Sequence, residues 1–188
     1  MQNLVEITEK KFDVILDLRY ASENNVCGKK LYAQPVCYLH EATAEALQKA
    51  IDAAKKLGLK LKIFDGFRPI EVQKFMFEKF PSEDPNGGFV SNPESGAIPH
   101  CRGVAIDLTL CDLQGNELDM GTDFDEFSDL AFHNCQKISV EAQRNRLLLL
   151  GLMTESGFDF YSKEWWHYQL FKPREYAVIE APKGMVAV

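Results

Sequence analysis

The stretch His100-Cys101-Arg102-Gly103-Val104-Ala105-Ile106-Asp107-Leu108-Thr109-Leu110 decides the fold. Val104, Ile106, Leu108 and Leu110 alternate with Ala105, Asp107 and Thr109, the period of two that defines a β-strand with one apolar face. Upstream, residues 81–99 hold Pro81, Pro85, Gly87, Gly88, Pro93, Gly96 and Pro99, which predicts irregular chain. A loop of that length inside a compact chain commonly covers a site. Downstream, Gln114-Gly115-Asn116 signals a turn into a second short segment.

Further out, the remaining elements fall into place around this strand. Leu59, Leu61 and Ile63 alternate with lysines, a half-buried strand ending at Asp65-Gly66. Before it, Leu39, Ala46, Leu47, Ala50, Ile51, Ala54 and Leu57 share one helical face over about 41–57, with Gly58 as the stop. After it, Pro69 suits the first position of a helix running to about residue 80. Ser139 is placed to cap a helix closed by Gly157. Phe158 to Tyr168 reads as strand, and residues 12–19 read as extended chain from the spacing of Phe12, Val14, Leu16 and Leu18. Helices interspersed with antiparallel-type strands predict an α+β fold in a single domain, residues 1–188.

Composition limits the function. A hydrophobic fraction of 46% and a charged fraction of 26% describe an ordinary globular chain. A net charge of −7 argues against nucleic acid as a partner, because phosphates require a basic surface. No apolar run reaches the roughly 20 residues of a membrane span. The first 18 residues contain Glu6, Glu9, Lys10, Lys11 and Asp13, so no signal peptide is expected. Five cysteines without a CxxC pair predict no disulfide framework and a cytoplasmic setting, with the periplasm as the alternative.

Two of the four histidines sit beside carboxylates: His100 with Asp107, and His167 with Glu164. Two imidazoles and one carboxylate make a three-ligand set that leaves zinc a fourth position for water. Zinc lowers the pKa of such a water toward about 7, and a carboxylate off the metal, Glu164, is then suited to move its protons. Geometry sets conditions. On an unbroken strand His100 and Asp107 would point to opposite faces, so the chain must turn, and Gly103 is the place for it. Glu164 and His167 need a helical turn or a bulge to converge. Spacing alone leaves a hydrogen-bonded structural role open for each histidine; the Cys101 thiol would also suit zinc, but adjacent residues on extended chain point oppositely, so Cys101 reads as a small buried residue rather than a second ligand beside His100. His40 reads as a helix-start residue and His133 as a helix residue, neither assigned to metal.

His100 to Leu110 resembles the H-x-x-G-x-A-x-D zinc motif of bacterial D,D-peptidases. Glu164-Trp165-Trp166-His167 is similar to their E-x-x-H motif, and Asp65-Gly66-Phe67-Arg68-Pro69 to their D-G-[YF]-R-P segment. Asp17-Leu18-Arg19-Tyr20-Ala21 and Met120-Gly121-Thr122 with Phe124-Asp125 resemble the D-alanyl-D-alanine dipeptidase branch. The resemblance implies a compact domain with a central antiparallel sheet, one zinc per chain on His100, Asp107 and His167, and Glu164 as general base and acid. It also implies Arg68 as oxyanion stabiliser, Asp125 and Tyr20 as substrate-binding residues, and a small dipeptide as substrate. A related D,D- or L,D-carboxypeptidase or endopeptidase acting on peptidoglycan stems is the alternative; a zinc module without catalysis is a second. Ile98 stands where those dipeptidases carry Ser, so a different dipeptide preference, or replacement of that hydroxyl by Ser95, is expected.

Overall fold

The computed structural model describes residues 4–82 and 88–187. In chain order its elements are β1 (Leu4–Ile7), α1 (Glu9–Phe12), β2 (Ile15–Leu16), β3 (Cys37–His40), α2 (Glu41–Lys56), β4 (Lys60–Asp65) and α3 (Ile70–Lys79). They continue with β5 (Ala105–Cys111), α4 (Val140–Glu155), β6 (Phe158–Phe160) and β7 (His167–Leu170). The principal sheet runs β2-β4-β5-β7-β6, antiparallel throughout except for the parallel edge pair β2 and β4. An α+β fold with helices flanking a mainly antiparallel sheet is what the alternation predicted.

The helices begin and end where local chemistry dictates. At α2 the His40 side chain accepts from the Ala42 N–H, and at α4 the Ser139 hydroxyl accepts from the Ala142 N–H. Pro69 is the residue just before α3 rather than its first, a shift of one position. Leu47, Ala50, Ile51 and Ala54 bury one face of α2 in the common core with Leu61 and Ile63 of β4 and Ile106 and Leu108 of β5. Strand β5 is buried along its whole length, so Ala105, Asp107 and Thr109 are not a solvent face. Of the three, Asp107 belongs to the site.

The N-terminus departs from expectation. The extended reading of residues 12–19 is interrupted because Thr8 caps a one-turn helix that closes at Phe12. Asp13 then turns the chain in a left-handed conformation, leaving only Ile15 and Leu16 in the sheet. A second, two-stranded sheet pairs β1 with β3, which was not predicted. His133 is likewise in a turn rather than a helix. Its ring packs against Phe160 and Tyr168, and burial lowers its pKa to about 4. Among the described residues no helix is long and apolar enough to cross a membrane.

Candidate active site

Three neighbouring strands deliver one row of polar side chains. Asp65 at the end of β4 pairs with Asp107 of β5, and Asp107 pairs with His167 at the start of β7. Residues directly opposite in a sheet point the same way, so the row is a consequence of register. His100 reaches it from outside the sheet. Pro99–Arg102 forms one turn of 3-10 helix, and Gly103 at φ 68° reverses the chain into β5. A Cβ on Gly103 would lie 2.9 Å from the His40 backbone nitrogen, so glycine is needed for the close approach as well as for the turn. Backbone bonds lock the approach: Arg68 N–H donates to the His100 carbonyl, and His40 N–H to the Gly103 carbonyl.

The result is a cluster in which ligand atoms of His100, Asp107 and His167 lie within 4.8 Å of one another, all three residues buried. His100 Nε2 is 3.1 Å from His167 Nδ1, His167 Nδ1 is 3.1 Å from Asp107 Oδ1, and His100 Nε2 is 3.4 Å from Asp107 Oδ2. Ligands about 2.0–2.1 Å from a tetrahedral zinc are separated by about 3.3 Å, so the triangle has the size of one face of that polyhedron. The outer nitrogens face acceptors: His100 Nδ1 donates to the Gly66 carbonyl at 2.7 Å, and His167 Nε2 lies 3.1 Å from the Gln169 amide oxygen. With the protons held there, the inner nitrogens present lone pairs to each other and to a carboxylate, an arrangement that a cation relieves. Burial alone would raise the Asp107 pKa, but His100 and then His167 hold it well below the usual carboxylate range. The donor set fits a metal such as zinc.

Glu164 stands beside this cluster and outside it. A turn closed by His167 N–H donating to the Glu164 carbonyl brings the two side chains together, with Glu164 Oε2 3.8 Å from His167 Nδ1. This is the turn that the three-residue spacing required. Burial, reinforced by the charges of Asp107 and Asp125, raises the Glu164 carboxyl well above its ordinary pKa. Trp165, inside the same turn, donates its indole N–H to Thr122 Oγ1, and its backbone N–H to the Ala131 carbonyl. The two tryptophans are packing residues, and Trp166 is also part of the cavity wall.

Arg68 lies across from Glu164, buried and held by several partners. Its guanidinium donates to Asp65 Oδ2 (2.9 and 3.0 Å) and to Gln73 Oε1 (3.1 Å), and it lies 3.5 Å from Asp107 Oδ2. The remaining Asp65 oxygen accepts from the Tyr32 hydroxyl at 2.7 Å. Burial works against the Arg68 charge, but Tyr20, Asp65, Tyr32 and Asp107 together hold it protonated. The Tyr20 ring stacks 5.1 Å from the guanidinium and donates its hydroxyl to Asp125 Oδ2 at 2.7 Å. Asp125 sits in a left-handed turn, not at a helix start. Burial pushes its pKa up to about 7, with the Tyr20 bond opposing and the Asp107 charge adding.

All seven residues singled out in the sequence therefore line one cavity of about 500 Å³. Segment 88–99 covers it through Phe89, Val90, Ser91, Asn92, Ser95, Gly96, Ala97 and Pro99, as its composition suggested; residues 83–87 of that loop lie outside the described residues. The Gln73 side-chain amide (Nε2) donates to the Ser91 carbonyl, and the Arg174 guanidinium to that of Ser95. Ile98 is buried with a left-handed backbone and is not part of the lining, whereas Ser91 and Ser95 are. Cys101 is fully buried and not in the cluster, its thiol pushed up to about 12 by burial, which removes the rival ligand. Gln73, Gln169 and the Asp65 carboxylate are members of the site that residue type alone does not single out. Gln169 carries a usable signal, since a residue two beyond His167 on a strand shares its face.

Comparison with known proteins places the chain in a family. The D-ala-D-ala dipeptidase model of the M15 peptidases matches residues 1–178. The chain is 41% identical over 167 residues to the D-alanyl-D-alanine dipeptidase of Escherichia coli (strain K12), covering 89% of this chain and 84% of that protein. It is 33% identical over 175 residues to the D-alanyl-D-alanine dipeptidase of Enterococcus faecium, covering 82% and 84%. Among solved structures there is a looser likeness to the LD-carboxypeptidase LdcB, with a TM-score of 0.49 and 21% identity over 93% of this chain and 71% of that one.

Proposed function

The chain belongs to the D-alanyl-D-alanine dipeptidase family, and from that premise we propose that it hydrolyses D-alanyl-D-alanine, or a closely related D-amino-acid dipeptide, with one zinc ion on His100, Asp107 and His167. The observation that carries the reading is the separation of roles in one cavity: three converging ligands, with the Glu164 carboxylate 3.8 Å from one of them and outside the set.

Bound zinc supplies Lewis acidity, which makes a water acidic near neutral pH and polarises a carbonyl. Glu164 takes the proton of the attacking water and passes it to the leaving amine; a carboxyl whose pKa is raised by burial is suited to both halves of that task. Arg68 is the fixed cation for the oxyanion that develops at the scissile carbonyl. Its bonds to Asp65 and Gln73 orient it before substrate arrives, so little reorganisation is needed in the transition state. Asp125, oriented by Tyr20, receives the substrate's free ammonium group. An N-extended peptide lacks that charge and would leave a buried carboxylate unpaired, which disfavours longer substrates.

A substrate panel tests this. Zinc-loaded protein is expected to cleave D-alanyl-D-alanine and to leave its N-acetylated form at least about 100-fold slower, the penalty of one unpaired buried charge. Equal cleavage of the blocked dipeptide would remove ammonium recognition by Asp125. Preferential cleavage of a pentapeptide stem would move the assignment to a carboxypeptidase.

A further inference from the structure

The two imidazoles of the cluster are oriented by different means. His100 is anchored through Nδ1 to a main-chain acceptor, the Gly66 carbonyl, at 2.7 Å. His167 is anchored through Nε2 to a side chain, the amide oxygen of Gln169, at 3.1 Å. We infer that Gln169 is the positioning residue of the metal centre: its amide oxygen fixes the His167 ring so that Nδ1 faces Asp107 and His100. The inference rests on the proposed metal role of the cluster.

Three observations carry it. Gln169 follows His167 by two residues on β7, so both side chains leave the same face of the strand. The strand is held on both sides, with Gln169 paired to Ala105 of β5 and to Asp159 of β6, which gives the side chain a rigid base. Gln169 is half-buried and lines the cavity itself. With its oxygen toward the ring, the amide can only accept, so the Nε2 position must carry the proton and Nδ1 is left with its lone pair.

Zinc affinity, measured by chelator competition on the purified full chain, tests the role without reference to turnover. Gln169→Leu removes the acceptor at similar volume and is expected to weaken zinc binding by about 10–100-fold. The melting temperature of the metal-free protein should stay close to that of the wild type. In the cobalt-substituted protein the visible ligand-field bands should shift, because the ring is free to turn about its metal bond. Gln169→Glu keeps an acceptor at the same place and should restore both affinity and spectrum. Should the leucine chain fail to fold, Gln169→Met makes the same comparison with an unbranched side chain. An affinity within twofold of wild type in the variant lacking the acceptor, or a glutamate variant as weak as the leucine one, would overturn the inference while leaving the metal site intact. A wild-type chain that binds no zinc would instead overturn the metal reading beneath it.

Discussion

An acid that is to hold an ammonium group must be ionised when the substrate arrives, and Asp125 gives up its proton late. Its pKa of about 7 in the folded chain lies above the ordinary value of about 3.9 expected when unfolded. Between those values the folded state binds a proton that the unfolded state has lost. Stability therefore falls as pH rises through this window, by a few kcal/mol in all, and is level above it. Melting curves of the metal-free wild type and of Asp125→Asn at pH 5 and pH 8 check this: the wild type should lose more stability than the variant on going to pH 8, and parallel curves would refute it. The same titration predicts that KM for the dipeptide falls as pH rises toward 7, and that Asp125→Asn abolishes this dependence and raises KM. Arg68 supports a second prediction. A lysine keeps the charge but cannot reproduce the paired bonds to Asp65 together with the bond to Gln73, so Arg68→Lys should lower kcat by about 10²–10³-fold with zinc content unchanged. Wild-type kcat in that variant would contradict oxyanion stabilisation by the fork.

At the scale of elements, the parts with a strong period or a local cap were legible. The α2 face, the Ser139 cap of α4, and the alternation in β4 and β5 each follow from residues within one element. The parts that were not legible depend on partners distant in sequence. Strands β1 and β3 have four residues each and no lasting alternation, and they exist because they pair with each other. The Phe12–Leu18 pattern looked like a strand, but Thr8 offered the backbone a helical turn first. Gly103 was read correctly as a turning point because the His100 to Asp107 spacing demanded one. Its second role, the contact with the His40 backbone, could not be seen in sequence. Gly103→Ala would force a left-handed conformation and a close contact with fixed backbone, costing about 1–3 kcal/mol by strain alone. A lowered melting temperature together with weaker zinc binding is expected, since the same turn carries His100. Unchanged metal affinity would mean that His100 is positioned independently of the turn.

Across the whole molecule, the site is a row in the sheet joined by two excursions from it. Asp65, Asp107 and His167 are set side by side by the pairing of β4, β5 and β7. His100 enters through the Pro99–Arg102 turn, and Glu164 through the turn leading into β7. The sequence motifs named the ends of this construction, because zinc chemistry restricts residue types. They were silent on its supports, since the acceptor role of a main-chain carbonyl is written in no side chain, and glutamines such as Gln73 and Gln169 resemble any polar surface residue. On the proposed function the fold separates binding a metal from using it: three residues would hold the ion, and one carboxylate beside them would move protons. Zinc content and dipeptide hydrolysis measured together on Glu164→Gln test that separation most directly. The account predicts one zinc per chain, as in the wild type, with hydrolysis of D-alanyl-D-alanine reduced by about 10²–10⁴-fold. Undiminished hydrolysis in that variant, or loss of its zinc, would contradict it.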